Sequence, residues 1–238
     1  MNDPMVKRIL ITNDDGINAP GLKVLEQIAR NLAEEVWVVA PEHDRSGAGQ
    51  SISIHDPLRV YEQDDRRYAV SGTPADCVLY SLARWFGETP PDLVLSGVNC
   101  GANISDSVQY SGTVGAVLSA EHMGIPAMAL SQAFLSREGV DWSPVSIYGE
   151  AVIRRLWQPG LNRAWNVNFP ACEAAAITQA RWCRESNGSI QRALLLAGQD
   201  ARSLPYWWLG FCRSPRPILA PHADARRRGD ETTATKAL

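Results

Sequence analysis

Short apolar stretches that alternate with segments of helical spacing place the strongest limit on the fold of this chain. Residues 8–12, 36–40, 93–96 and 127–130 each form a nearly continuous apolar run, and the segment from Pro20 places Leu22, Leu25 and Ala29 on one helical face. Continuous apolar strands need cover on both faces, and strands alternating with helices pair in parallel through crossovers. The sequence predicts an α/β fold with a Rossmann-like, doubly wound, mostly parallel sheet in one domain, residues 1–212.

The same alternation continues along the chain. Thr73 and Pro74 are typical of a helix N-cap and first helical residue, which predicts a helix through about Phe86. Further helices are expected at 113–123 and 145–156, and a further strand at 165–169. The stretch 42–65 shows neither periodicity, and we expect it to be irregular.

Residues 213–238 differ in composition from the rest of the chain. They are rich in Arg, Pro, Ala and Thr, and Ile218, Leu219 and Leu238 are their only large aliphatic residues. Such a segment buries too little apolar area to offset the entropy of ordering it. We expect a C-terminal extension that is a largely disordered tail.

Composition and charge exclude several classes of protein. The chain has 23 basic and 26 acidic side chains and a formal net charge of -3, which argues against binding to a nucleic acid duplex. No uncharged stretch approaches the roughly 18 to 20 apolar residues that span a bilayer, so no membrane helix is predicted. The five cysteines are scattered without a CxxC pair, which argues against a disulfide scaffold or a zinc site. We expect a cytoplasmic protein.

An acidic pair follows the first predicted strand, where ligands bind in open parallel sheets. Asp14 and Asp15 are adjacent in the turn 13–16. Two ionised carboxylates about 4 Å apart repel by roughly 4 kcal/mol at an effective dielectric near 20, so the pair must be solvated or share a cation. A hard divalent ion would serve, although a solvated Asp-Gly turn is the simpler explanation of this tetrapeptide taken alone.

Three other polar segments occupy comparable positions. Ser46 lies in a Ser/Gly loop after the second strand, and Asn99 and Asn103 lie in the loop that follows Ser96. Ser111 and Thr113 stand at a predicted helix N-terminus, where free N–H groups favour phosphate. Each has an ordinary alternative, such as a tight turn or simple N-capping. Their convergence at one edge of the sheet favours a joint metal and phosphate site.

Several catalytic motifs are absent from the sequence. No GxGxxG opens the first helix and no GxxxxGK[ST] occurs, which argues against a dinucleotide site and a P-loop NTPase. The acidic pair is adjacent rather than spaced as DxD, and there is no GxSxG elbow. These absences argue against the four corresponding classes of enzyme and do not conflict with a metal and phosphate site.

Five motifs in order resemble the SurE family, the survival protein SurE. They are residues 11–16, 39–41 with 45–47, 72–77, 96–103 and 110–114, so the resemblance covers residues 6–131 and continues more thinly to Gly210. It implies a divalent-metal-dependent phosphatase acting on nucleoside monophosphates. The chain departs from the family at Ala102, where proline is usual, and after Gly210, where the family's terminal strand has no counterpart.

The resemblance also implies a role for individual residues. One divalent ion, Mg²⁺ or Mn²⁺, is expected on Asp14, Asp15, Ser46 and Asn99, with the two aspartates as the catalytic residues. The phosphate is expected on Asn103, Ser111, Gly112 and Thr113. One of the two aspartates also takes a proton from the attacking water, and the sequence does not distinguish which.

The predicted activity is that of a 5'-nucleotidase. Nucleoside monophosphates, 5'- and possibly 3'-linked, are hydrolysed to nucleoside and phosphate by a metal-activated water. Because the phosphate is recognised more strongly than the leaving group, other small phosphomonoesters are expected substrates as well. The alternative is a catalytically impaired protein that binds metal and nucleotide on the same scaffold. A homodimer held by the remaining C-terminal elements is expected, with any higher assembly weakened.

Overall fold

A computed structural model describes residues 3–161, 163–184 and 190–213. Its strands are β1 (Val6–Thr12), β2 (Ala33–Pro41), β3 (Val60–Asp64), β4 (Arg67–Val70), β5 (Leu93–Cys100), β6 (Ala127–Gln132), β7 (Ala164–Phe169), β8 (Ile190–Gln199) and β9 (Pro205–Arg213). Its α-helices are α1 (Pro20–Leu32), α2 (Pro74–Ser81), α3 (Ser107–Tyr110), α4 (Gly112–His122) and α5 (Ser143–Leu156). Single 3-10 turns lie at Arg137–Gly139 and Ala174–Ala176.

Seven strands form one sheet in the order β3-β4-β2-β1-β5-β6-β7. All neighbours pair in parallel except β3 and β4, which form an antiparallel edge. Counted along the chain, the parallel strands run third, second, first, fourth, fifth and sixth across the sheet. The direction of winding therefore reverses between β1 and β5, which is where doubly wound sheets bind ligands. The predicted Rossmann-like α/β fold is confirmed.

The core has two apolar layers because the central strands are covered on both faces. Ile9 and Ile11 of β1 face a layer that includes residues of α1 and α5, whereas Leu10 faces a layer that includes residues of α2 and α4. This alternation follows from the two-residue period of a strand. All three side chains are fully buried, so β1 lies at the centre of the molecule.

Helix α2 begins where the sequence predicts. Thr73 is its N-cap and Pro74 its first residue, and the Thr73 side chain accepts a hydrogen bond from the backbone N–H of Asp76. The Asp76 carboxylate in turn accepts from the backbone N–H of Thr73, which completes a capping box. The predicted end at Phe86 is reached through a single π-helical turn, Leu82–Phe86, rather than by continuous α-helix.

The prediction that residues 42–65 are irregular is wrong at their C-terminal end. Residues Val60–Asp64 form the edge strand β3, paired with β4. Four of these five residues are exposed, so the strand lacks the apolar alternation on which the prediction depended. An edge strand meets solvent and needs no such pattern.

A second sheet consists of the antiparallel hairpin β8–β9, which the sequence did not predict. Its last residue, Arg213, is the first residue of the predicted tail, and it pairs with Ile190 in the hairpin. The predicted disorder is therefore wrong at this residue. The rest of the predicted tail, 214–238, lies outside the described residues. Within the described part of the chain, no helix has the length and apolar character to cross a membrane.

Candidate metal and phosphate site

The carboxyl ends of β1 and β5 bring two of the predicted site segments together. Thr12, the last residue of β1, pairs with Ser96 of β5, and Asp14 and Asp15 follow β1 directly. Asn99 lies within β5, three residues beyond Ser96. The prediction that Asn99 lies in a loop is wrong, because β5 continues to Cys100. The acidic pair and Asn99 therefore lie at the point where the winding of the sheet reverses.

The turn after β1 is shaped by Asn13 and Gly16. The Asn13 side chain donates to the carbonyl of Gly16 over 2.9 Å and accepts from its N–H over 3.2 Å. Gly16 has a φ of +101°, which favours glycine. This closed turn fixes the two aspartates between its ends.

Asp14 is 3% exposed and is held from two directions. Its Oδ1 accepts a 2.6 Å hydrogen bond from the Thr113 hydroxyl of α4, and its backbone carbonyl accepts from the N–H of Arg45 over 2.7 Å. Burial raises the pKa of Asp14 above its ordinary value, although the bond from Thr113 opposes the rise. Asp14 thus joins the turn after β1 to α4 through its carboxylate and to the Ser46 loop through its backbone carbonyl.

Asp15 is partly buried beside it. Its Oδ2 accepts a 3.0 Å hydrogen bond from the backbone N–H of Cys100, at the end of β5. Burial raises the pKa of Asp15 to about 6, the Cys100 N–H opposes the rise, and the neighbouring charges of Asp14 and Asp44 add to it. The two carboxylates therefore lie where negative charge is unfavourable unless a cation is present.

Ser46 and Asn99 each have backbone-supported positions in this region. The backbone N–H of Ser46 donates to the Asp44 carboxylate over 2.7 Å. The Asn99 side chain donates through Nδ2 to the carbonyl of Gly101 over 2.6 Å. An amide anchored through its nitrogen presents its oxygen as the remaining polar atom.

Helix α4 begins next to Asp14. Ser111 is its N-cap and accepts a hydrogen bond from the N–H of Val114. Gly112 and Thr113 occupy the first two helical positions, whose N–H groups have no carbonyl partner within an α-helix. The Thr113 hydroxyl is turned to Asp14, so the backbone N–H is the group that Thr113 has available for an anion.

Asn103 is 6% exposed and lies in a polar network that reaches β6 and β7. Its side chain donates to the Ser131 hydroxyl over 3.0 Å, and its N–H donates to Asn168 over 2.8 Å. Its carbonyl accepts from the side chains of Asn166 and Asn168 over 2.8 and 3.1 Å. These bonds hold the residue in one orientation.

Two glycines of α4 permit close backbone contacts around the site. A Cβ atom at Gly112 would lie 2.8 Å from the Cβ of Asp14 and 3.1 Å from Cγ of Pro74. A Cβ at Gly115 would lie 2.1 Å from the carbonyl oxygen of Gly49. Only glycine lets the first turn of α4 approach both the acidic turn and the Ser/Gly loop this closely.

The residues of the site fit a hard divalent cation. The predicted ligands, two carboxylates, a hydroxyl and an amide, would supply only oxygen donors, which Mg²⁺ and Mn²⁺ prefer. Among the described residues, no Lys, Arg or His side chain lies within ion-pair distance of Asp14 or Asp15, although the positive charge of Arg137 slightly lowers the pKa of Asp15. The described residues also contain no group of three His, Cys, Asp or Glu side chains placed to hold a metal.

Sequence reasoning missed the contacts that hold the site in place. Asn166 and Asn168 support Asn103, and the Thr113 hydroxyl and the Arg45 N–H fix Asp14. Alternate asparagines in β7 are the one signal that the sequence offers for this role.

Comparison with known proteins identifies the family. A protein-family model described as Survival protein SurE matches residues 9–192. The 5'-nucleotidase SurE 1 of Burkholderia lata is 46% identical over 215 residues, covering 90% of this chain and 83% of that protein. The 5'-nucleotidase SurE of Beijerinckia indica is 45% identical over 215 residues, covering 88% and 82%.

A solved structure agrees with these sequence matches. The SurE protein from Aquifex aeolicus aligns with a TM-score of 0.70 at 30% identity, over 86% of this chain and 82% of that one. Family model, relatives and structure agree over the same part of the chain, and the chain belongs to the SurE family.

Proposed function

We propose that this chain is a hydrolase, a divalent-metal-dependent phosphomonoesterase of the 5'-nucleotidase type that converts nucleoside monophosphates to nucleoside and phosphate. Relatives 46% and 45% identical over most of the chain are named 5'-nucleotidases, which supports the activity. The arrangement of the site supports it independently.

The single observation that carries the proposal is the hydrogen bond between Thr113 and Asp14. It spans 2.6 Å and joins the first turn of α4, which favours an anion, to a buried carboxylate that favours a cation. A phosphoryl group bound to a metal needs both kinds of group at adjacent positions.

Asp14, Asp15, Ser46 and Asn99 would hold one divalent ion, Mg²⁺ or Mn²⁺. When bound, such an ion polarises the phosphoryl oxygens and lowers the pKa of water, which makes water a nucleophile near neutral pH. The hydrogen bonds from Thr113 to Asp14 and from Cys100 to Asp15 orient the two carboxylates before any ion arrives. This preorganisation reduces the cost of gathering the donors.

The phosphate would bind at the start of α4. The N–H groups of Gly112 and Thr113 donate to its oxygens, and the Ser111 hydroxyl, whose oxygen accepts from Val114, has its own proton to donate. Asn103, held by β6 and β7, contributes a polar edge in a fixed orientation. These donors stabilise the charge that builds on the phosphoryl oxygens during bond cleavage.

Asp14→Asn and Asp15→Asn variants test the proposal. Loss of an outer partner of a metal ligand typically costs about 10- to 100-fold, so loss of a ligand carboxylate should lower kcat/KM by at least about 100-fold. The fold should remain, because asparagine keeps the size and the Oδ1 that accepts from Thr113. Phosphate release from a nucleoside monophosphate is measured with and without Mn²⁺.

Asp65→Asn is the matched control, since Asp65 is an exposed carboxylate in the turn between β3 and β4. It should leave phosphate release unchanged. Full activity in Asp14→Asn or Asp15→Asn would contradict the metal assignment. Nucleotide binding by calorimetry without phosphate release would identify the catalytically impaired alternative instead.

Assembly and compartment are part of the same proposal. The hairpin β8–β9 exposes large apolar side chains, among them Leu196, Trp208 and Leu209, and a homodimer formed through it would cover them. Cys77, Cys100, Cys172 and Cys212 are free thiols, which supports a reducing compartment such as the cytoplasm.

A further inference from the structure

A polar cavity of about 160 Å³ opens next to the candidate site. A single water needs only about 10 to 15 Å³ by this kind of measure, so the cavity has room for a whole organic group. Arg45, Ser53, Asp56, Leu58, Ser71 and Thr73 are among its lining residues. Neither the family resemblance nor the metal and phosphate assignments involve most of these residues.

The cavity borders the metal and phosphate site on two sides. Arg45 precedes Ser46 and donates its backbone N–H to the carbonyl of Asp14 over 2.7 Å. Thr73 precedes Pro74, whose ring lies against Gly112 at the start of α4. One lining residue, Arg45, is therefore adjacent in sequence to the proposed metal ligand Ser46. Another, Thr73, is adjacent to Pro74, which contacts the proposed phosphate-binding residue Gly112.

Hydrogen bonds hold the cavity wall in shape. Ser53 donates to the Asp76 carboxylate through its N–H over 2.9 Å and through its hydroxyl over 2.7 Å. The same carboxylate, which belongs to a 4% exposed residue, accepts from the N–H of Thr73. Arg45 donates through its guanidinium to the carbonyl of Ser71 over 2.8 Å. A wall tied in this way loses little entropy when it binds a ligand.

The chemistry of the lining suits a neutral, hydroxyl-bearing ring compound. Arg45 and Asp56 bring one positive and one negative side chain, so the cavity has no excess charge to attract a second phosphate. A guanidinium plane stacks on aromatic rings of any base, and a carboxylate accepts hydrogen bonds from ribose hydroxyls. Leu58 adds an apolar surface for the ring.

We propose that this cavity is the subsite for the nucleoside portion of the substrate, with Asp56 accepting hydrogen bonds from the ribose hydroxyls. The inference rests on the proposed function. It gives the leaving group a defined position without selecting one base, because the guanidinium plane and the Leu58 side chain contact the ring face rather than its hydrogen-bonding edge.

Two substrates separate the subsite from the chemistry. The Asp56→Ala variant is compared with wild type on a nucleoside monophosphate and on p-nitrophenyl phosphate, which has no ribose. A hydrogen bond to a charged group is worth enough to lower kcat/KM for the nucleotide about 10-fold or more, while kcat/KM for p-nitrophenyl phosphate stays within about twofold. Asp56 is exposed, so the variant should fold. Asp65→Ala is the matched control and should change neither value.

Calorimetry of adenosine binding supplies a readout independent of turnover. Adenosine should bind wild type and bind Asp56→Ala about 10-fold more weakly. Equal losses on both substrates, no loss on either, or adenosine binding unaffected by Asp56→Ala would each overturn the subsite. Failure of wild type to hydrolyse either substrate would instead refute the proposed function, and adenosine binding would still decide the subsite.

Discussion

The seven-stranded body and the β8–β9 hairpin use similar apolar residues in opposite ways. In the body, β1 and β5 bury most of their side chains between two helical layers, and the others lie near one end of each strand. In the hairpin, Trp208 is 69% exposed, Leu209 66% and Leu196 64%. Exposed apolar side chains of this size are typical of an interaction surface, which is the basis for the proposed homodimer.

The largest expected difference between the two regions is in stability. Leu25→Ala removes a fully buried side chain of α1 and should cost about 2–5 kcal/mol of unfolding free energy at every protein concentration. If the proposed homodimer forms through the hairpin, Leu196→Ala should lower stability only at protein concentrations that favour the dimer, because assembly adds stability by mass action. Chemical denaturation over a range of protein concentrations measures both. A concentration-independent loss in Leu196→Ala would show that the hairpin belongs to the body's core.

A second variant tests the hairpin as an interface. Trp208→Ser removes a large exposed aromatic side chain, and truncation of such a residue at the centre of an interface commonly costs about 2 kcal/mol or more. We expect the dimer to dissociate at least about 30-fold more readily by light scattering, with the circular dichroism of the body unchanged. A truncation that ends at Arg213 is the companion measurement and should remain dimeric. A dimer unaffected by Trp208→Ser would place the interface elsewhere.

The smallest effect concerns the contacts that join the hairpin to the body. The rings of Tyr110 and Phe211 lie 5.8 Å apart, and Ile190 donates its N–H to Asp106 over 2.8 Å. A double-mutant cycle of Tyr110→Ala and Phe211→Ala should give a coupling of about 0.5–1.5 kcal/mol in unfolding free energy. Zero coupling would mean that the hairpin is not held against the body through these rings.

The sequence predicts most of the body because local rules agree with tertiary packing there. The start of α2 at Pro74 follows from capping chemistry, and buried β1 and β5 follow from uninterrupted apolar runs. Edge strand β3 was missed because exposure removes the apolar pattern. The hairpin was missed because apolar runs in two separate segments do not show that Ile190–Gln199 and Pro205–Arg213 pair with each other.

The site divides along the same line. Loop position and residue chemistry identify Asp14, Asp15 and the start of α4 as the segments to inspect, and the structure brings them together. That the Thr113 hydroxyl turns to Asp14 is a contact between residues 99 positions apart, which no local pattern encodes. The support of Asn103 by Asn168 is likewise a tertiary contact, across 65 positions.

The close approach of Gly115 to Gly49 limits which positions of this site can be varied without changing its geometry. A Cβ at Gly115 would lie 2.1 Å from the carbonyl oxygen of Gly49. The spacing between α4 and the Ser/Gly loop therefore depends on close packing of the two backbones. A library that varies the donor side chains keeps that spacing, and each variant can be judged by its chemistry. A library that varies Gly115 shifts the backbone that positions the donors. A change in activity could then not be assigned to the chemistry of one donor.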